Sequence, residues 1–239
     1  MTAHVTAAGL GIRFLFDHDR RVVTPALARI RRRGAETWGL RDLNLDLRGG
    51  EGVALLGPSG SGKTTLLRVL GGIYVPDEGS LSVTGRVASL LSVDAGLLSL
   101  LTGRENAELL GVLAGSTRAE ARSSLPEVRE RSRLGTSFDR PVSSYSQGMR
   151  ARLGFAVAER SEPSILLLDE VHEALDHEFR EIVRRRAEAI LAAGGIVVAA
   201  GHDHPLLEQI CDRAIFLKGG RVQADGTFAA VQETYLRPA

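Results

Sequence analysis

Cysteine is almost absent: Cys211 stands alone in a chain of 239 residues. That excludes an intramolecular disulfide and any metal site built from several thiolates, and it fits a reducing compartment. Lysine is nearly absent too, occurring only at Lys63 and Lys218, with arginine supplying the other strong positive charges. Charge of either sign is balanced to a formal net of +1, so nothing global selects nucleic acid or an acidic partner. No long hydrophobic run is present. The stretch from Ala187 to Ala200 is broken by Glu188 and by Gly194-Gly195, too interrupted to span a bilayer. Met1 to Gly11 lacks the charged start and apolar core of a secretory leader. Internal repeats and low-complexity tracts are missing as well. What remains is an ordinary globular composition, 44% hydrophobic and 25% charged, long enough for one domain with a real core.

One of the two lysines falls inside Gly57-Pro58-Ser59-Gly60-Ser61-Gly62-Lys63-Thr64, which fits the phosphate-loop pattern at every fixed position. Glycines let the backbone approach closely, so that successive N–H groups converge on a phosphate chain. Lys63 adds a point charge for the outer phosphates and Thr64 a hydroxyl for Mg²⁺. Val53-Ala54-Leu55-Leu56 before the loop reads as a short buried strand. Thr65 to Leu70 after it reads as a helix, whose N-terminus favours anions.

Leu43, Leu45 and Leu47 alternate with Asn44, Asp46 and Arg48, the period of a half-buried strand, and Ser80 to Leu91 alternates around Gly85. From about 97 to 160 the pattern becomes helical. Thr102-Gly103-Arg104-Glu105 and Thr117-Arg118-Ala119-Glu120 are capping boxes, and Pro126 kinks or restarts the second helix. Gly148 to Glu159 reads as a third helix, with Met149, Leu153 and Ala156 or Val157 on one face. Beyond it lie a strand ending in Ile165-Leu166-Leu167-Leu168-Asp169-Glu170, a helix over His177–Ala193, a buried strand over Ile196–Ala200, a short helix from Pro205, and strands flanking the hairpin glycines Gly219-Gly220. The expected fold class is α/β: a phosphate-loop core with a mostly parallel sheet, an N-terminal antiparallel β subdomain and an inserted helical subdomain. Between about 17 and 37 a separate insertion is expected to hold a short helix capped by Thr24-Pro25 and ending in Arg29, Arg31, Arg32 and Arg33.

Two carboxylates close the apolar strand. Asp169 is placed to help hold Mg²⁺, and Glu170 to orient or deprotonate an attacking water. His202 follows the next buried strand, with His204 as its rival for a terminal-phosphate contact.

Together these residues resemble the ATP-binding subunit of ABC transporters over essentially the whole chain. The resemblance identifies Glu173-Ala174-Leu175-Asp176 as the loop after the acidic strand, Tyr145-Ser146-Gln147-Gly148-Met149 as the signature, and Gly201-His202-Asp203 as the switch. It implies that two copies pack head to tail, each ATP lying between the phosphate loop of one and the signature of the other. Thr65, Ser146, Gln147, Gly148 and Asp176 then join the loop residues around the nucleotide, with Phe14 stacking on the adenine and Phe16 or Trp38 as competitors. Two departures stand out. Gln147 occupies a position usually held by Gly or Ser, and the usual glutamine near Val93 is missing, with Asp94 as a substitute.

Tyr145-Ser146-x-Gly148-Met149-Arg150-Ala151-Arg152-Leu153, Leu101-Thr102-Gly103-Arg104-Glu105-Asn106 and the insertion before the Leu43 strand resemble exporters of O-antigen, capsule and teichoic acid. The loop His172-Glu173-Ala174-Leu175-Asp176 looks like the wider family instead. The resemblance implies a peripheral subunit at the cytoplasmic face of the plasma (inner) membrane, working with an integral-membrane partner and with no nucleic acid. The arginines at 29 and 31–33 would meet lipid phosphate or a lipid-linked glycan, or else form a solvated helix end. The chain stops at Ala239, leaving the expectation that no carbohydrate-binding domain is appended. The alternatives are another exported substrate, a non-transport ABC ATPase, and a phosphotransferase, which would need an acceptor pocket and no signature.

Overall fold

The structure, a computed structural model, describes residues 2–17, 22–24, 35–90, 96–169, 176–201 and 204–237. Two sheets organise it. The first is antiparallel and is centred on β1 (His4–Asp17). β3 (Ala35–Arg48) pairs along one edge of β1, while β2 (Val22–Thr24) and β5 (Glu78–Thr84) share the other. The alternation in β3 falls as expected: Leu43 and Leu47 are fully buried, and Asn44, Asp46 and Arg48 are exposed.

The second sheet has the order β10-β9-β4-β8-β7-β6, formed by β10 (Arg221–Thr227), β9 (Arg213–Lys218), β4 (Gly52–Leu56), β8 (Ile196–Ala200), β7 (Ile165–Asp169) and β6 (Val87–Leu90). Only the β9–β10 hairpin is antiparallel. Its turn, Gly219-Gly220, takes φ of +57° and +74°, the left-handed pair that a two-residue hairpin of matching twist requires.

β7 shows why its apolar run is continuous. Ile165 and Leu167 face one core, which fills the space between the two sheets around α1 (Lys63–Leu70). Leu166 and Leu168 face a second core against α6 (His177–Ala192), α7 (His204–Ile210) and α8 (Phe228–Leu236). Both faces are covered, so neither can be polar, and each buried leucine contributes about 1.5–3 kcal/mol.

The helical block comprises α2 (Gly103–Leu113), α3 (Arg118–Ser123), α4 (Leu125–Ser132) and α5 (Gln147–Arg160). It has its own core around Phe138, Val142, Tyr145 and Leu153. Both capping boxes form: the Thr102 and Thr117 hydroxyls accept from the Glu105 and Glu120 amides, and each glutamate accepts back from the threonine N–H. Pro126 sits in the first turn of α4, where its missing N–H costs nothing, so the chain restarts a helix there.

Two sequence expectations change shape. The stretch Ser80–Leu91 splits, β5 joining the antiparallel sheet and β6 the parallel one. Gly85 turns between them at φ +135°, with a Cβ there only 2.6 Å from Ser164 Oγ. The edges of the segment read as a helical insertion are strand: β1 runs to Asp17, Val22–Thr24 pair with it, and β3 begins at Ala35. Arg29 and Arg31–Arg33 lie outside the described residues.

Candidate functional site: a phosphate loop and a signature helix

The loop from Gly57 to Thr64 leaves buried β4 at the carboxyl end of the parallel strands, where ligands of such sheets bind. Gly57, Gly60 and Gly62 take φ of +147°, +77° and +113°. A Cβ on Gly57 would lie 2.3 Å from Leu217 O and 2.7 Å from Ser61 Oγ, so the loop closes only around a glycine. Pro58, Ser59 and Gly60 are exposed at its crest, while Ser61 is buried. Gly62 caps α1 without a side-chain hydrogen bond, so no side chain competes with an anion for the helix N-terminus.

Lys63 is 6% exposed, and its Nζ donates to Gly57 O at 2.7 Å and Pro58 O at 3.3 Å. A buried ammonium needs such acceptors, and these hold it directly under the loop. Ser61 Oγ is buried with no hydrogen-bond partner. An orphaned hydroxyl, a cradle only glycine can line and a buried ammonium together fit a phosphate chain. Thr64 and Thr65 follow, half-buried, at the start of α1.

Asp169 ends β7 and is also buried, at 6% exposure. In the sheet register it stands beside Ala200 of β8, and Leu55 of β4 stands on the other side of Ala200. The fold therefore brings the carboxylate and the phosphate loop to one edge across a single intervening strand. Glu170, the segment Glu173–Leu175 and His202 lie outside the described residues, as do Val93 and Asp94.

His204, the rival to His202, opens α7 with its Nδ1 3.3 Å from Gln232 Nε2 and its ring 5.8 Å from that of Tyr235. The C-terminal helix thus engages it. Asp176 caps α6, accepting from the Phe179 amide at 3.0 Å, and forms an ion pair with Arg152 of α5. The Arg152 guanidinium also lies over the Phe179 ring at 5.3 Å.

Ser146 caps α5, its Oγ accepting from Met149 N at 3.2 Å. Ser146 and Gln147 are exposed and Gly148 is half-buried. Beneath them Tyr145 is buried and donates to Ser137 O at 2.7 Å, and burial raises its phenol above the ordinary value. Gly103 lets this happen, since a Cβ there would fall 2.2 Å from the Tyr145 hydroxyl.

The aromatic candidates separate by face. Phe14 lies over Gly39, where a Cβ would meet its ring at 2.4 Å and Thr65 Cγ2 at 3.2 Å, and it meets Tyr74 edge-on at 5.8 Å. Phe14 is therefore on the phosphate-loop side. Trp38 pairs across the strands with Arg13, one position along from the Phe14–Thr37 pair, and so projects from the other face. The guanidinium groups of Arg13 and Arg41 stand 5.2 and 5.4 Å from its ring. Nothing in the sequence signals one further feature: Gly220 N donates to Ser61 O at 2.9 Å, so the distant hairpin turn holds the loop.

A phosphate loop on a mostly parallel sheet with a buried acid at a strand end two places along defines a nucleotide-binding α/β cassette. The ABC transporter family model matches residues 40–173, and the chain belongs to that family. It is 34% identical to the O-antigen export system ATP-binding protein RfbB of Klebsiella pneumoniae, across 95% of this chain and 90% of that one. It is 38% identical to RfbE, an O-antigen export system ATP-binding protein of Yersinia enterocolitica, across 77% of each. The teichoic acids export ATP-binding protein TagH of Enterococcus faecalis is 35% identical across 83% of this chain, which spans only 44% of that longer protein. Among solved structures, a dimeric post-hydrolysis state of the ATP-binding cassette MJ0796 bound to ADP and Pi superposes with a TM-score of 0.76 at 23% identity. That match covers 94% of this chain and 98% of the other, a likeness of fold.

Proposed function

We propose that this chain is the ATP-hydrolysing subunit of an ABC transporter that exports a lipid-linked surface polysaccharide. The observation that carries the ATPase is the glycine cradle with buried Lys63 beneath it and Asp169 across one intervening strand. The export class rests on the similarity to the Klebsiella O-antigen protein along nearly its whole length.

In this reading the loop amides and Lys63 bind the phosphates, and Phe14 stacks on the base from the side of Gly39. Thr64 and Asp169 fit Mg²⁺, a hard cation that takes few protein oxygens beside those of phosphate. Bound there, it would supply positive charge to offset the negative charge of the outer phosphates. Glu170 draws a proton from the attacking water, and His202 contacts the terminal phosphate. Ser146, Gln147 and Gly148 of a second copy close over that phosphate at the start of α5, with Asp176 beside the same seam. Hydrolysis removes the bridging ligand and lets the two copies part, and the membrane subunit uses that motion.

Among the described residues no helix is long and apolar enough to cross a membrane. Docking at the cytoplasmic face on a membrane subunit supplies the location. Leu98 and Leu100, 52% and 88% exposed just before α2, offer that subunit an apolar contact. Arg29 and Arg31–Arg33 would pair with phosphate of a lipid or lipid-linked glycan. Neutralising them should impair export and leave phosphate release unchanged, and unaffected export would remove that contact.

The decisive experiment is co-purification of the chain with its membrane subunit and analysis of the bound lipid by mass. A lipid-linked sugar, with Mg²⁺-dependent release of free phosphate from ATP, is expected. A complex that carries no glycan and moves another compound would overturn the polysaccharide reading. Transfer of phosphate to an acceptor would overturn the ATPase reading.

A further inference from the structure

We propose that Gly39 and Gly220, which lie outside the phosphate loop, are positioning residues that set its shape for nucleotide. The proposal rests on the reading of that loop as the ATP site. Three backbone segments meet at one point. Gly62, at the loop's exit, would place a Cβ 2.7 Å from Gly39 O and sits with Gly220 Cα 3.5 Å from that same position. Gly220 would place a Cβ 2.9 Å from Gly39 O and 3.1 Å from Leu40 Cα. Gly39 in turn admits the Phe14 ring, because its own Cβ would lie 2.4 Å from it. No side chain fits at any of the three positions without moving backbone or the Phe14 ring.

Two hydrogen bonds fasten the junction. Gly220 N donates to Ser61 O at 2.9 Å, and Arg41 N donates to Gly220 O at 2.8 Å. The turn of the β9–β10 hairpin is thus tied to the loop on one side and to β3 on the other. Ser61 thus carries both the buried, unpartnered hydroxyl and the carbonyl that the hairpin holds. At the loop's crest Pro58, Ser59 and Gly60 are exposed, and Pro58 O accepts from Ser61 N at 3.1 Å and Lys63 Nζ at 3.3 Å, both within the loop itself. A loop whose amides must converge on phosphates gains affinity when its shape is set before the ligand arrives.

The turn carries its own control. Gly219 shares the left-handed backbone of Gly220, at φ +57° against +74°, but a Cβ on Gly219 meets nothing within 4 Å. Gly219→Ala therefore imposes comparable backbone strain on the hairpin without pressing on Gly39. The test measures binding of a fluorescent ATP analogue to the full chain, with thermal melts to report folding. Gly220→Ala should weaken binding by about tenfold or more, and Gly219→Ala by no more than about twofold, at similar melting temperatures. Equal affinities in two folded variants would overturn the proposal.

Should Gly220→Ala not fold, hydrogen exchange on the wild-type chain decides. ATP should slow exchange of the Gly220 amide along with those of Gly62 to Thr64, while the turn at Gly194-Gly195, on the far end of the sheet, stays unchanged. A Gly220 amide indifferent to ATP would overturn the latch. A wild-type chain that binds no ATP analogue would overturn the nucleotide reading, and the latch with it.

Discussion

Among the described residues, the phosphate loop is held from several sides, whereas the start of α5 is supported from beneath. Around Gly57–Thr64 the loop meets Leu217, Gly39 and Gly220 through backbone atoms alone, with the Lys63 ammonium tucked below. At Ser146 the support is a buried tyrosine and a serine cap, and the outer surface faces solvent. In the proposed reading the first region binds nucleotide within one chain and the second is covered by another copy, and a signature as enclosed as the loop could not open to release product.

The strongest way to break the comparison is at the chemistry. Glu170→Gln should cut turnover by about a hundredfold or more while nucleotide stays bound, trapping two copies together. Phosphate release and light scattering with ATP would check this, and full hydrolysis in the variant would unseat Glu170. Chelating Mg²⁺ should stop hydrolysis but leave the analogue bound to the loop, since the loop's own donors do not depend on the metal. Fluorescence titration in EDTA reads that out.

Substitutions in the second region should act on closure and stability and spare single-chain binding. Gly103→Ala drives a methyl into the Tyr145 hydroxyl and should destabilise by about 1–3 kcal/mol, visible as an earlier thermal transition. Ser146→Ala removes the cap of α5 and should cost about 1 kcal/mol, with hydrolysis reduced and affinity of the isolated chain unaltered.

The smallest expected effect concerns pH. Hydrogen bonds from Thr102 hold the Glu105 carboxyl below its ordinary value of 4.5, and those from Thr117 do the same for Glu120. A depressed folded value stabilises the ionised form, so each contribution is complete above that ordinary value and is lost as pH falls through the lowered one. In acid melts the gap between the wild type and Thr102→Ala or Thr117→Ala should therefore narrow as pH falls through the lowered carboxyl values, leaving the pH-independent loss of the hydroxyl that caps each helix.

Much of this was legible residue by residue. The cradle glycines, the apolar strand ending in Asp169, both capping boxes and the restart at Pro126 are local signals, and each appears where its residues stand. Ser80–Leu91 was legible as strand but not as two strands in different sheets, because alternation reports burial and not partners. Which faces Phe14 and Trp38 take was not legible in the sequence, because it turns on which face of β1 and β3 meets the loop, a matter of register. The side chain of Phe16, the other competitor, lies outside the described residues. The contacts of His204 with Gln232 and Tyr235 were not legible, because those residues arrive from another helix.

The order of residues along the chain determines what depends on near neighbours: which glycines can turn left-handed, which hydroxyl can cap a helix three residues on, and which strand must be buried on both faces. Tertiary structure alone decided that Gly220 holds Ser61, that Asp169 stands across one intervening strand from the loop, and that Ser146 faces outward. Contacts of that kind join segments far apart in the chain, and their geometry exists only after the sheets have chosen their order.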